Sequence, residues 1–469
     1  MTILNNINFI RQVEDYLSEH LPIRLGVNKK NELVRLVYEL CRANDMSLQE
    51  VTRQAGIAYL AEEGKSELFH KVKSRLLELR YPSKKEDDDP HIMPFTALES
   101  IGESMPWDFD IKPKRAFIEQ DVQDLEWTSS FMANFPDAEV TLVDDAKGPL
   151  RSLSSNPLVT QYNSRCENVF VVKNKAAFVK ICPCTKKALR CGYTILNLGF
   201  GCAIDCSYCY LQLYSNFPGL IFPANIEDYY PHIKDLDKKV SSRTRIGTGE
   251  FTDSLFLDKY TGYSTHLVPF FKGMKNLVLE LKTKAGDIDN VLKQDAHDNV
   301  VVSWSMNARE MAEKYEKGAI TIDERIDAVR QVVKKGFKTG FHFDPIIFYE
   351  GWEDEYKAVV EEIFSDRDIA RNTAWVSFGT LRYTPGLKQV AEQRFTDNGL
   401  YYTGEFFADV DGKLRYPREL RIEMYNKMIE WIRSYDTSAW IYLCMEPEDL
   451  WEKTILTKED YSYNCKRRG

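Results

Sequence analysis

From Tyr193 onward the sequence alternates short β-branched runs with amphipathic helical patterns, and this alternation restricts the fold more than any other feature. The runs fall at 193–198, 243–246, 277–281, 300–305, 339–343 and 374–381, with helical patterns such as 322–335 between them. Such a series implies right-handed strand–helix–strand units and a parallel sheet closed into a barrel or part of one. In barrels of this kind the reactive groups sit at the carboxyl ends of the strands. The loop after the first run is therefore the first place to look for chemistry.

That segment reads Gly201-Cys-Ala-Ile-Asp-Cys-Ser-Tyr-Cys-Tyr210, placing Cys202, Cys206 and Cys209 in a C-x3-C-x2-C spacing. Three thiolates on one loop can hold three irons of a [4Fe–4S] cluster and leave the fourth iron open to a substrate or cofactor. The glycine before the motif suits a backbone that must wrap closely around a large inorganic core. A zinc site is the alternative, completed from Cys182, Cys184 and Cys191 just upstream, because the loop itself carries no histidine. Those three upstream cysteines could equally hold an auxiliary cluster, supply a reactive thiol or simply pack.

The remaining chain divides by pattern. Residues 1–90 read as an N-terminal helical domain ending in a charged linker, Pro82-Ser-Lys-Lys-Glu-Asp-Asp-Asp-Pro90, with a capping-box start at Ser47-Leu-Gln-Glu50. A weak helix-turn-helix pattern at 46–57 raises the reading of a DNA-binding protein without catalysis. Residues 91–192 form an α/β lead-in with strands at 139–143 and 168–172, and residues 193–469 carry the barrel and a C-terminal hairpin at 401–416. The 469 residues exceed one ordinary core. A net charge of −9 argues against a protein that coats nucleic acid generally but permits a local basic groove. Ten cysteines are too few for a disulfide scaffold, no apolar run approaches a membrane span, and the start lacks a signal pattern, so a cytoplasmic protein away from the membrane is expected.

The words around the cysteines narrow the reading. Cys206-Ser-Tyr-Cys-Tyr-Leu-Gln212, Leu281-Lys-Thr-Lys284, Ser303-Trp-Ser-Met-Asn307 and Phe341-His-Phe-Asp-Pro-Ile-Ile-Phe-Tyr-Glu-Gly-Trp352 resemble the spore photoproduct lyase family of radical S-adenosylmethionine (SAM) enzymes, from about Pro113 to Tyr442. The resemblance implies a partial (β/α)6 TIM-type radical SAM barrel with an N-terminal helical extension. It also implies a [4Fe–4S] cluster on Cys202, Cys206 and Cys209, fed by a reductase or a flavodoxin- or ferredoxin-type electron donor, that cleaves SAM to a 5′-deoxyadenosyl radical. The expected target is a DNA base or lesion. In that frame Lys284 matches the lysine on the SAM carboxylate and Thr252 a hydroxyl near it. Ser305 and Asn307 would face the SAM amino or ribose groups, and Tyr208 and Tyr210 match tyrosines that stack near SAM or relay a hydrogen. His342 and Asp344 share a strand face that could be the barrel lumen, as a changed substrate pocket.

Two departures bear on the substrate. Where the lyase pattern has the cysteine that returns the final hydrogen, this chain reads Gly247-Thr-Gly-Glu-Phe-Thr-Asp253, with Glu250 at or beside that position. A carboxylate cannot give up a hydrogen atom as a thiol does; Glu250 instead resembles a residue that holds the SAM amino group. The hairpin at 401–416, basic in the DNA-binding lyases, carries three acids against Lys413 and Arg415. Both favour the alternative of a non-DNA substrate: a nucleotide, peptide or small molecule.

Overall fold

The computed structural model describes residues 3–44, 46–62, 67–80, 90–91, 110–175, 178–185, 187–215, 218–249, 251–395, 399–402, 405–409, 411–435, 437, 439–457 and 460. Residues 82–89 of the linker, Glu250 and the basic tail at 465–469 lie outside them. The chain forms two compact units, Met1–Glu99 with Gly399–Leu420, and Ser100–Asn398 with Arg421–Gly469.

In the first unit the helices Ile3–His20, Val27–Asn44, Leu48–Gln54, Ile57–Glu62 and Leu68–Arg80 close around Val13, Leu17, Leu33, Val37, Val72 and Leu76. These residues fall four apart on the first, second and fifth helices, so each of those three turns an apolar stripe inward. Ser47 caps the third helix: its hydroxyl accepts from the Glu50 N–H, and the Glu50 carboxylate accepts from the Ser47 N–H at 2.9 Å. The hairpin pairs Phe406–Ala408 with Leu414–Arg415 in antiparallel register and groups with these helices, Phe407 packing on their core.

The second unit is built on a curled parallel sheet. Its strands are β1 (Thr194–Leu196), β2 (Thr244–Gly247), β3 (Leu277–Thr283), β4 (Val300–Met306), β5 (Lys338–Ile346), β6 (Thr373–Thr380) and β7 (Trp440–Leu443), hydrogen-bonded in that order. All six expected runs are strands, and the half-barrel expectation holds. β7 is an addition that the sequence pattern did not announce. The short strand Val179–Ile181 lies antiparallel on the outer edge of β1. Every residue of β4 is buried, as a parallel strand covered on both faces requires. The helix Ile322–Lys335 covers that sheet with Ile326, Val329 and Val332. A Thr321–Glu324 capping box starts this helix and Gly336, at φ +102°, stops it.

A second, smaller parallel sheet orders Glu139–Val143, Arg115–Glu119, Asn168–Val172 and Leu220–Pro223. Its fourth strand follows the cysteine loop, so that loop is tied at both ends: to the barrel through β1 and to the small sheet through Leu220–Pro223. Among the described residues no helix is long and apolar enough to cross a membrane.

Candidate metal and cofactor site

The cysteine loop leaves the carboxyl end of β1 through Gly199, at φ +108°, and Gly201, at φ +93°. A Cβ on Gly201 would lie 2.9 Å from Leu220 Cδ2 and 3.1 Å from the Gly219 carbonyl. Both the backbone angle and the space exclude a side chain there. Replacing Gly201 with alanine should cost about 2 kcal/mol and loosen the loop, read as a lower denaturation midpoint together with fewer irons per chain.

Three buried polar side chains then hold the loop, and of these only Gln212 falls within a word singled out from the sequence. Arg165 donates from Nε to the Cys202 carbonyl at 2.7 Å and from Nη2 to those of Ala203 and Ile204 at 3.2 and 3.3 Å, and it pairs with Asp205 at 3.3 Å. Gln212 Nε2 donates to the carbonyls of Cys206, Ser207 and Cys209 at 3.0 to 3.2 Å. Arg394 links the two halves, donating to Gln212 Oε1 and to Asp205 Oδ2 at 2.6 Å each. Both guanidinium groups lie over the Tyr162 ring, Arg165 at 4.1 Å and Arg394 at 4.5 Å from its centre. Loop carbonyls are thus engaged by the Arg165 guanidinium and the Gln212 amide.

Cys206 is buried and Cys202 and Cys209 half-buried. Burial pushes all three thiols upward; Cys202 and Cys206 also feel the negative charge of Cys209, and Cys209 that of Asp205. Lys284 opposes the rise at Cys206 and Cys209, and Arg165 opposes it at Cys202 and Cys209. Such thiols ionise when a metal replaces the proton. Among the described residues no three His, Cys, Asp or Glu side chains converge as ligands of a single ion. A zinc site, whose ligands must all lie about 2.0 to 2.3 Å from one point, is therefore not supported, either here or at Cys182, Cys184 and Cys191. The residue set fits a larger inorganic core: three thiols on one loop, cationic neighbours and a carbonyl-clamped backbone.

Facing the loop is a buried ionic group. The segment Asp205–Cys206 pairs antiparallel with Glu316–Lys317, setting Glu316 opposite Cys206. Glu316 is bridged by Arg325 at 2.6 Å, accepts from Asn307 Nδ2 at 3.0 Å and receives the Tyr208 hydroxyl. Burial opposes ionisation of Glu316, but Arg325 and then Lys284 hold its carboxyl at about 2. Burial likewise works against the charge of Lys284, which Glu316 and the Cys206 thiol restore to above the ordinary lysine value. The Lys284 ammonium lies 5.8 Å over the Tyr208 ring. Its backbone N–H donates to Asp253 Oδ2 at 2.8 Å, while Asp253 Oδ1 accepts from Thr283 Oγ1 and from the N–H groups of Leu255 and Phe256. Asp253 thus pins the end of β3 to the loop after β2.

Thr252 lines a cavity with Gly199, Asp253 and Leu281 beside the start of the cysteine loop. The Ser305 carbonyl accepts from Arg325 Nη1 at 2.9 Å. Asn307 is engaged on both sides, its Oδ1 receiving the Tyr356 hydroxyl and the Ala308 N–H. Tyr208 points inward to Glu316, whereas Tyr210 is 43% exposed and meets the Tyr214 ring edge-on at 5.9 Å. The two flanking tyrosines therefore sit in different environments. Lys284, Tyr208 and Asn307 are brought together with the thiols; Tyr210 is not.

His342 and Asp344 share a strand face, but each has its own partner. His342 Nε2 lies 2.7 Å from Glu280 Oε1, which also accepts from Ser303 Oγ and Trp375 Nε1 at 2.7 Å each. Arg245 stands 3.9 Å from the same carboxylate, donates to the Tyr442 hydroxyl at 2.7 Å and is ringed by Tyr193, Trp375, Trp440 and Tyr442. Burial resists ionisation of Glu280, yet His342 and Arg245 keep it ionised, while burial holds His342 below the usual imidazole range. Asp344 takes a two-pronged contact from Arg382, at 2.8 and 3.1 Å. Glu280, like Glu316 and Arg325, is a residue that sequence reasoning passed over. Its signal was a single carboxylate inside the apolar run 277–281, which can only be buried with partners.

A partial parallel barrel with a three-cysteine loop at the carboxyl end of its first strand has the build of a radical SAM-type fold. A family model for spore photoproduct lyase matches residues 111–433, and the chain belongs to that family. It is 28% identical over 209 residues to the spore photoproduct lyase of Geobacillus sp. (strain Y412MC61), covering 43% of this chain and 60% of that protein. To the Bacillus subtilis (strain 168) enzyme of the same name it is 27% identical over 202 residues, covering 42% and 58%. The chain thus matches 60% or less of the length of these curated relatives. A solved structure of a spore photoproduct lyase mutant with bound AdoMet and dinucleoside spore photoproduct superposes with a TM-score of 0.61 at 21% identity, covering 71% of this chain and 98% of that one.

Proposed function

We propose that this chain is a radical SAM enzyme acting on a nucleic-acid base or lesion. The observation that carries the reading is the clamped loop of Cys202, Cys206 and Cys209 with the Lys284 ammonium acting on two of its thiols, in a chain of the spore photoproduct lyase family. When bound, a [4Fe–4S] cluster and SAM together would supply reductively initiated hydrogen-atom abstraction. The chain's own groups do the holding. Cys202, Cys206 and Cys209 would ligate three irons as thiolates. Lys284, kept charged by Glu316, would receive the SAM carboxylate. Thr252 and Ser305 offer hydroxyls to SAM, and Glu250 an acceptor for its ammonium. Asn307 and Tyr208 position Glu316 and hence Lys284. His342 and Asp344, tied to Glu280 and Arg382, would set the floor and wall of the substrate space. A flavodoxin- or ferredoxin-type protein would deliver the electron.

Lys284→Ala is the direct check on the SAM assignment. Losing a charge-assisted contact worth about 1.5 to 3 kcal/mol should weaken SAM binding about 10- to 100-fold by equilibrium dialysis, with iron content unchanged. Unchanged affinity would remove Lys284 from the site.

One observation favours a second reading, a radical SAM reaction on a non-DNA substrate. Both bases of the hairpin are engaged by its own acids: Arg415 contacts Asp409 at 3.0 Å and Asp411 at 2.7 Å, and Lys413 lies 3.3 Å from Asp411. A segment so neutralised releases few counterions from a duplex. Dinucleoside spore photoproduct is the probe that separates the readings, since its conversion does not need duplex binding.

A further inference from the structure

We propose that Cys182 and Cys184 form a redox-active dithiol that exchanges with disulfides of small molecules or proteins, at a place distinct from the three-cysteine loop. The Cys184 N–H donates to the Cys182 carbonyl at 2.8 Å, closing a three-residue turn with Pro183 at its centre. Proline's fixed φ near −65° suits the inverse γ-turn, so the turn is preset by the sequence. It brings the two Sγ atoms to 3.8 Å. Side-chain rotation can carry them to the roughly 2.05 Å of an S–S bond. Both residues are half-buried, hence reachable by an exchange partner.

The turn is anchored on both sides. The Cys182 N–H donates to the Tyr193 carbonyl at 3.0 Å, and the returning segment is held by the Leu189 N–H on the Glu446 carbonyl at 2.9 Å and by an antiparallel bridge between Ala188 and Pro447. Its electrostatics divide the pair into two roles. The Cys182 hydrogen bond, with help from Arg190 and Arg382 against burial, draws Cys184 down to about 7. The same hydrogen bond and burial push Cys182 far up, so it stays a thiol. Cys184 is the attacking thiolate and Cys182 the resolving thiol.

The exchange balances without another reagent. The Cys184 thiolate attacks one sulfur of RS–SR, forming a mixed disulfide and releasing RS⁻. Cys182 then attacks Cys184, its proton passing to a released thiolate and the second RS⁻ leaving. Two electrons move from the pair to RS–SR. The new disulfide carries no charge toward Arg382, whose guanidinium also holds Asp344 and lies 4.0 Å from Cys444 Sγ. The redox state of the pair is thus presented to the barrel wall.

The test uses the full-length protein, purified without oxygen, poised in glutathione buffers from reducing to oxidising, alkylated and digested with trypsin. One peptide, 181–186, carries both cysteines. Both alkyl labels should vanish together in one two-electron step, leaving that peptide lighter by two hydrogens. In reducing buffer at pH 7, Cys184 should alkylate about six-fold faster than a thiol near 9, because a roughly fifty-fold gain in thiolate is offset by lower nucleophilicity. That advantage should fall away in Cys182→Ala. Labels that persist through the oxidising buffers would overturn the proposal, as would labels lost independently, or zinc or iron bound in a way that depends on Cys184. The labelling of the unmodified chain decides the matter even where a variant folds poorly.

Discussion

Replacing Arg165 with alanine should strip most of the iron from the purified protein and lower its apparent melting temperature by roughly 4 to 7 °C. The side chain is 3% exposed and supplies donors to the carbonyls of Cys202, Ala203 and Ile204 and to Asp205. Removing one partner of a buried ion pair costs about 3 to 5 kcal/mol, and here the loop's carbonyls lose their donors as well. Arg165→Lys should rescue only weakly, since one ammonium cannot reproduce a planar fork that reaches several acceptors. Iron content by colorimetry and a thermal scan of the same preparations check this. Wild-type iron in Arg165→Ala would show that the clamp does not hold the site.

The second large effect is expected at Glu316. Glu316→Ala leaves Arg325, fully buried beside the loop, without its 2.6 Å partner, and should cost about 3 to 5 kcal/mol. The milder Glu316→Gln keeps the shape and exposes the pH dependence. A carboxyl held at about 2 in the folded chain and near 4.5 in the unfolded chain contributes stability that is complete above about pH 4.5 and is lost as pH falls toward 2. In iron-free protein, the gap in denaturation midpoint between wild type and Glu316→Gln should be widest near pH 6 to 7, at roughly 3 kcal/mol, and should close through that acidic window. A gap that does not change with pH would mean the carboxylate's charge is not what the site uses. Because Glu316 also sustains the charge of Lys284, the same variant should weaken SAM binding at neutral pH.

The barrel was legible because its strands are apolar runs between amphipathic helices, and the loop because three thiols at fixed spacing have few uses. β7 was not: it is four residues long, too short for alternation to mark it as a strand. Arg165 and Arg394 escaped because their partners lie across the fold; Arg394 and Asp205 are 189 residues apart. His342 and Asp344 looked like a pair on one strand face. Residues two apart on a strand are separated by almost 7 Å, and each found its partner elsewhere in the sheet: the Glu280 carboxylate reaches His342 from β3, across the intervening β4, and Arg382, beyond β6, took Asp344. Spacing in sequence identifies which residues share a face; it does not identify which of them touch.

The proposed function depends on Cys202, Cys206 and Cys209 holding a cluster that opens SAM reductively. That is checked by 5′-deoxyadenosine formation in anaerobically reconstituted protein with dithionite and SAM, beside the Cys206→Ala variant. Product is expected from the wild type and none from the variant. Full iron loading of the wild type without any 5′-deoxyadenosine, or equal product from Cys206→Ala, would contradict it.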